Sequence, residues 1–361
     1  MIRSCKKTLA AGVRIRALIV DDSVVIRRLV THALEEDPNF EVVGAAANGV
    51  IALRMIQLVK PDVVTLDIEM PEMNGLETLR EIRKLYPELV VIMFSTLSAR
   101  GAAVTLEALE LGANDYVTKA ANEGSLDVSM TRLRDALVPK IKQFFILGTP
   151  AAAIPGRTAV RTAPARASGP RSPCRAVAIG VSTGGPTALA ELVRALPPGF
   201  RPPILIVQHM PPIFTGLLAD RLQTLTKLHV YEGKAGMKVE EGSIYIAPGD
   251  FHMRVVRKGT QEVLTLDQGD QENSCRPAVD VLFRSVSDVY GGSVVAVILT
   301  GMGQDGCRGV EQLRAHGAFV IAQDEASSVV WGMPGAVVQA GLADTVVGLG
   351  SIVPELVRRV S

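Results

Sequence analysis

Ala176-Val177-Ala178-Ile179-Gly180-Val181-Ser182-Thr183-Gly184-Gly185-Pro186 carries the decisive pattern of this chain. A short apolar run of strand length passes through a glycine-rich turn into a helical stretch from about Thr187 to Ala195. Strand followed by helix is the unit of a parallel sheet, and it recurs to the C-terminus, with strands expected at Ile204–Gln208, Ser243–Ile246, Val294–Thr300 and Ala318–Ala322. A Gly/Asp-punctuated segment from Ile244 to Leu266 reads as a β-hairpin insertion. Toward the N-terminus the same alternation runs from Arg16 to Ile141, with strands at Ala17–Val20, Val42–Ala45, Val63–Leu66, Val90–Phe94 and Asp115–Val117. The fold class is therefore α/β: two doubly wound parallel-sheet domains, the first five-stranded, the second larger, Rossmann-like and carrying the hairpin.

The 361-residue length also suggests two domains at about 150 residues each. From Thr149 to Pro173 the composition shifts to Ala, Pro, Arg, Thr and Gly, which reads as a flexible linker with solvated arginines. The expected organisation is a leader over 1–14, a first domain over 15–140, a linker over 141–173 and a second domain over 174–361. The leader's apolar run from Leu9 to Val13 is cut off by Arg14 and Arg16, too short for a signal-peptide core. No run of about 18 apolar residues occurs, so no membrane insertion is expected. Lys+Arg 38 against Asp+Glu 37 gives no electrostatic reason to expect nucleic acid. Cys5, Cys174, Cys275 and Cys307 form neither a Cys-x-x-Cys pair nor a Cys/His cluster of zinc spacing, which fits a reducing, cytoplasmic setting.

In the first domain Asp21 and Asp22 end the first strand, Asp67 ends the third, Ser95 ends the fourth and Lys119 follows the fifth. A doubly wound sheet gathers such residues at one edge. Three carboxylates suit Mg²⁺, a hard cation that prefers oxygen ligands. Beside it Asp67 can act as a carboxylate nucleophile toward a phosphoryl donor, with Ser95 and Lys119 placed to bind the phosphate. Taken singly, each acid also reads as a solvated loop residue or a helix cap.

As a set, Val20-Asp21-Asp22-Ser23, Leu66-Asp67-Ile68-Glu69-Met70-Pro71, Ser95-Thr96 and Gly112-Ala113-Asn114-Asp115-Tyr116-Val117-Thr118-Lys119 resemble the response-regulator receiver family. The resemblance implies that Asp67 is the phosphoacceptor, that Asp21 and Asp22 help it hold Mg²⁺, and that Ser95 and Tyr116 are a switch pair. Ala120 departs from the proline common after the lysine.

In the second domain Gly180-Val181-Ser182-Thr183-Gly184 fits G-x-S-x-G at a strand-to-helix turn, which exposes a hydroxyl. On its own this turn serves a nucleophile or a phosphate cradle equally well. His209, which ends the next strand, and Asp305, which follows Val294–Thr300, favour the nucleophile. A serine needs a base to take its proton, and the base needs a carboxylate to fix its tautomer. Glycines flanking Met302 leave backbone N–H groups for an oxyanion. The order Ser, His, Asp excludes the α/β-hydrolase arrangement.

Ile179-Gly180-Val181-Ser182-Thr183-Gly184-Gly185-Pro186, Gln208-His209-Met210-Pro211, Tyr245-Ile246-Ala247-Pro248-Gly249, Arg276-Pro277-Ala278-Val279-Asp280-Val281-Leu282-Phe283 and Leu299-Thr300-Gly301-Met302-Gly303-Gln304-Asp305-Gly306 resemble the chemotaxis protein-glutamate methylesterase family. That resemblance implies Ser182 as nucleophile, His209 as general base, Asp305 as its orienter, the Met302 N–H as an oxyanion donor, and Thr183 and Arg276 as supporting site residues. It implies hydrolysis of glutamate γ-methyl esters on the cytoplasmic helices of chemoreceptors, releasing methanol without a cofactor, and deamidation of receptor glutamines. It further implies that an unphosphorylated receiver covers the catalytic face until a chemotaxis histidine kinase phosphorylates Asp67. Cys275 and Cys307 stand as mild departures from the family pattern, and Cys307 reads as a small buried hydrophobe. Two rival readings are a receiver fused to a non-catalytic nucleotide-binding or regulatory output, and an oxidoreductase using Gly180–Gly185 as a dinucleotide loop.

Overall fold

The computed structural model describes residues 6–119, 126–147 and 173–360. The chain divides into two compact units, residues 1–157 and 158–361. In the first unit, β1 (Lys7–Leu9) precedes β2 (Ile15–Val20), β3 (Phe40–Ala46), β4 (Val63–Asp67), β5 (Val90–Ser95), β6 (Asp115–Thr118) and β7 (Phe145–Leu147). The order β3-β2-β4-β5-β6 makes a five-stranded, all-parallel sheet. Every residue of β4 and β5 is buried, which is why these strands read as continuous apolar runs rather than alternating ones. Order reverses between β2 and β4, so Asp21 and Asp67 flank the switch-point crevice where ligands of such sheets bind.

Local sequence sets the helices between these strands. Ser23 caps Val24–Glu35, Asn48 caps Gly49–Val59, and Asn74 forms a reciprocal capping box with Glu77 at the head of Gly75–Leu85. Gly75 packs its bare Cα against the Asp67 carbonyl, and an added Cβ would meet Ile68 Cα at 2.8 Å. The chain after the phosphoacceptor candidate is thereby held close.

Two parts of the expected organisation change. Lys7–Leu9, placed in the leader, form a strand paired in parallel with β7, and β7 itself lies in the segment assigned to the linker. Both are only three residues long and half-exposed, too short for periodicity to register. Residues 1–5, Ala120 and 148–172, including most of the linker and its arginines, lie outside the described residues.

In the second unit the strands are β8 (Ala176–Val181), β9 (Ile204–Gln208), β10 (His229–Glu232), β11 (Ser243–Ile246), β12 (His252–Lys258), β13 (Gln261–Asp267), β14 (Val294–Ile298), β15 (Phe319–Gln323) and β16 (Thr345–Val347). Seven of them form one parallel sheet in the order β10-β11-β9-β8-β14-β15-β16. The hairpin exists, but it is β12-β13 alone, an antiparallel pair beginning at His252. Ser243–Ile246, expected as a strand of the sheet, form its fully buried β11, so the hairpin segment read from Ile244 starts too early.

The core packs Tyr245, Leu282, Phe283, Ile298 and Val207 together. The Tyr245 hydroxyl donates to the Lys238 carbonyl and accepts from the Glu240 N–H, both at 2.9 Å, so its polar end is satisfied at depth. Order reverses between β8 and β14, which places the loops after these two strands at the switch point.

We expect Gly75→Ala to destabilise the first unit by about 1–3 kcal/mol, because backbone atoms of Asp67 and Ile68 must move to admit the methyl. Calorimetry of the full chain checks this: one transition should fall while the other holds its midpoint.

Candidate active site

Val181 and Gln208 are paired across β8 and β9, so the next residues, Ser182 and His209, leave adjacent strands side by side. The Ser182 N–H donates to the Thr300 carbonyl at 3.0 Å, and the His209 N–H donates to the Val181 carbonyl at 3.2 Å. Gly184, at φ +78°, turns the chain into the helix Gly185–Ala195. The Gln208 amide donates to the carbonyls of both Ser182 (3.0 Å) and His209 (3.3 Å), tying the two loops together. Gly185 makes room for that amide, since a Cβ there would strike the Gln208 side chain.

Asp305 is 2% exposed and takes five donors. His209 Nε2 (2.8 Å) and the Val279 N–H (2.7 Å) reach Oδ2. The Asp280 N–H (3.1 Å), the Gly306 N–H (2.9 Å) and the Asn273 amide (2.8 Å) reach Oδ1. Burial raises the Asp305 pKa, but the bonds from His209 and from the backbone outweigh it and hold the group below its usual value. Burial likewise lowers the His209 pKa, and Asp305 with Cys275 overcome it, raising the imidazole to about 10. Asp305 engages Nε2, so the ring nitrogen left for a serine proton is Nδ1. Cys275 Sγ lies 3.6 Å from that nitrogen.

Ser182, His209 and Asp305 thus come to one end of the sheet, as the strand-end placement predicts. Met302 is 42% exposed beside them, and its N–H makes no hydrogen bond among the described residues. Gly301 is backed directly onto Ser182, whose Cβ would lie 2.8 Å from an added methyl. The Thr183 carbonyl accepts from the buried Thr300 hydroxyl at 2.9 Å. Arg276 binds Asp250 Oδ1 through Nε (3.0 Å) and Nη2 (2.6 Å) and the carbonyls of Gln268 (3.0 Å) and Gly269 (2.8 Å). It pins the 268–276 loop.

Three residues near this site carry no role in the sequence reading. Asn273 bridges the two buried carboxylates, 2.8 Å from Asp305 and 3.0 Å from Asp280 Oδ2. Asp280 Oδ1 accepts the Gly309 N–H at 2.7 Å, and its pKa is raised by burial and by Asp305. Cys275 is the third. The sequence shows no Cys/His cluster, yet His209, Cys275 and Asp305 each offer a ligand atom within 4.8 Å of the others. The 66 residues between Cys275 and His209 hide the pairing from any spacing rule. Cys307, by contrast, is half-buried against the core, and burial pushes its thiol pKa up.

In the first unit Asp21, Asp22 and Asp67 likewise gather carboxylate oxygens within 4.8 Å. Lys119 Nζ lies 2.8 Å from both Asp21 and Asp67. Burial, with Asp21 nearby, raises the Asp67 pKa to about 6 despite Lys119. An all-oxygen set fits a hard divalent cation, whose charge would offset this crowding. Asp22, Asp67, Glu69, Thr96 and Lys119 line a cavity of about 190 Å³. Ser95 is buried and accepts from the Thr105 hydroxyl at 2.6 Å, while Lys140 Nζ stands 4.9 Å from the centre of the buried Tyr116 ring.

Residues 177–356 match the CheB methylesterase family and residues 17–130 the response regulator receiver domain family. A protein-glutamate methylesterase/protein-glutamine glutaminase of Trichodesmium erythraeum is 49% identical, with 96% of this chain and 99% of that protein covered. One of the same name from Pyrococcus abyssi is 42% identical, covering 97% and 94%. The crystal structure of the Thermotoga maritima CheB methylesterase catalytic domain is 42% identical with a TM-score of 0.50, covering 51% of this chain and 97% of that domain.

Replacing Asn273 by Ala removes one donor from each of two buried carboxylates, and we expect a loss of about 1–3 kcal/mol in the second unit. Urea unfolding measures it; an unchanged midpoint would show that the bridge contributes nothing.

Proposed function

The chain belongs to the protein-glutamate methylesterase/protein-glutamine glutaminase family, and on that footing we propose that it is a phosphorylation-activated hydrolase of glutamate γ-methyl esters and glutamine side chains on chemoreceptors, acting through Ser182, His209 and Asp305. The five-donor carboxylate of Asp305, fixing His209 beside the loop that carries Ser182, is the observation that supports this most. The relatives' names favour a catalytic output over a non-catalytic regulatory domain.

Ser182 Oγ attacks the γ-carbonyl while His209 Nδ1 takes its proton. The tetrahedral oxyanion is met by the Met302 N–H, exposed between Gly301 and Gly303. The imidazolium then returns the proton to the departing methoxide, giving methanol, or to the departing amide nitrogen, giving ammonia, when a glutamine is the substrate. Water, deprotonated by the same nitrogen, releases the acyl group as glutamate. Asp305 remains ionised throughout, orienting the ring and balancing its charge. Thr183 and Arg276 support this arrangement by holding their loops.

In the receiver, Asp21, Asp22 and Asp67 would hold Mg²⁺, which would supply charge neutralisation for phosphoryl transfer to Asp67 from a chemotaxis histidine kinase. Lys119 and Ser95 receive the phosphate oxygens, and Ser95 with Tyr116 passes the change on. The no-metal, no-nucleotide character of the esterase step and a place on the cytoplasmic side of the receptors belong to the same reading. Among the described residues no helix is long and apolar enough to cross a membrane.

Ser182→Ala is expected to reduce methanol release from methylated receptor by at least about 10³-fold; release at the wild-type rate would refute the serine mechanism. Asp67→Asn should leave basal release in place and remove its stimulation by a small phosphodonor.

The raised His209 pKa also sets a direction with pH. Only neutral imidazole accepts the serine proton, so kcat/KM should climb through the neutral range and continue toward pH 10. A profile already flat at pH 7 would contradict the geometry that raises it.

A further inference from the structure

His209 and Cys275 meet at the nitrogen the serine needs, and the meeting is built rather than incidental. Glu272 and Cys275 exchange backbone hydrogen bonds of 3.1 and 2.9 Å across a two-residue turn. Asn273 and Ser274 occupy that turn at φ +53° and +60°, the pattern of a type I′ hairpin loop. Arg284 grips Glu272 with two bonds of 2.8 and 2.6 Å on one side, and Arg276 grips Asp250 on the other. Asn273 anchors the tip to Asp280 and Asp305. The thiol is therefore presented on a loop fixed at four points.

We propose that His209 Nδ1 and Cys275 Sγ form a site for a thiophilic divalent cation, with Zn²⁺ the ion that fits, and that filling it switches the hydrolase off. Zinc bonds of about 2.3 Å to thiolate and about 2.0 Å to imidazole, closing the 3.6 Å gap, subtend about 110° at the metal, the tetrahedral angle. Asp305 lies 2.8 Å from Nε2 and stays outside the coordination sphere, bonded to the ring nitrogen that does not bind metal. A carboxylate behind a ligating histidine is the usual outer partner of zinc, fixing the ring and strengthening the donor. Two protein ligands leave two tetrahedral positions for water.

Binding displaces to solvent the Cys275 thiol proton and any proton carried on His209 Nδ1, in exchange for sulfur–zinc and nitrogen–zinc bonds. It also commits the Nδ1 lone pair to the metal. Nothing then remains to accept the Ser182 proton. Ligand softness separates this site from the all-oxygen cluster of Asp21, Asp22 and Asp67: thiolate with imidazole selects zinc, and carboxylates select magnesium. The inhibitory part of the proposal rests on His209 as the base; the site itself does not.

The test uses the full chain in buffer with millimolar-scale magnesium, so that the carboxylate cluster is occupied. Equilibrium dialysis should find zinc bound with an affinity that weakens about tenfold or more in Cys275→Ser. Methanol release, measured for each protein against its own metal-free rate, should fall with wild-type occupancy and recover when zinc is chelated. Co²⁺ in place of zinc should give the wild type a thiolate-to-metal charge-transfer band that Cys275→Ser and Cys275→Ala both lack. Unchanged zinc affinity in both variants, or a wild-type cobalt spectrum without that band, overturns the site. A Cys275-dependent site that fills while methanol release continues overturns the inhibition. Dialysis and spectrum report on the site whatever ester the enzyme hydrolyses, so failure of the site and failure of the esterase reading remain distinct.

Discussion

Asp305 is the point on which the second unit's chemistry and part of its packing both depend. Burying a carboxylate costs several kcal/mol, and each charge-assisted hydrogen bond returns part of it. Here the donors come from places far apart in the chain. Val279 and Asp280 are the first residues of one helix, Gly306 precedes another, Asn273 sits on a turn, and His209 follows β9. The two backbone N–H groups at a helix start are groups a helix leaves unpaired, and they carry the positive end of its dipole. One anion therefore gathers the base, the loop that covers it and the helix behind it. The fold cannot relax around this group without exposing a charge or orphaning several donors.

Asp280 extends the same device. It lies in the first turn of Val279–Tyr290 and accepts from Gly309, within the helix Cys307–Ala315, so the two helices are locked where they flank the β14 loop. Burial, with Asp305 nearby, pushes Asp280 up, while the bonds from His209 and the backbone hold Asp305 down. Asn273 relieves the crowding by offering one N–H to each. A hydrocarbon of similar size could fill the space but not satisfy either oxygen.

The legible part of this molecule is the part written in strands. Asp21, Asp67, Ser182 and His209 end or follow buried apolar runs, and doubly wound topology then brings such residues to one edge without further information. Short edge strands escaped because β10 and β16 alternate or lack buried residues over three or four positions. The hairpin was placed too early because β11, buried throughout, has no alternation to separate it from β12. At the site, Asn273 and Cys275 were out of reach for a different reason. Their positions follow from a turn whose geometry depends on Glu272 meeting Arg284 and on Asp250 meeting Arg276, pairings 12 and 26 residues apart with no repeat. Asp280 stood in a quoted motif, but nothing in a linear pattern says that its carboxylate faces another.

That turn also explains how an unfavourable backbone can persist next to His209. Two successive residues at positive φ, neither of them glycine, cost free energy that local sequence does not recover, although asparagine tolerates the conformation better than most. The cost is borne because the side chain of Asn273 reaches both carboxylates only from there. Once the tip is fixed, the next residue has no freedom in where it points, and residue 275 faces His209 Nδ1. Whatever side chain occupies that position meets the ring nitrogen that Asp305 leaves unengaged. With a hydrocarbon it would only shield the imidazole; a thiol gives the same nitrogen a second, softer neighbour. The constraint that fixes the imidazole thus also decides that residue 275 faces it.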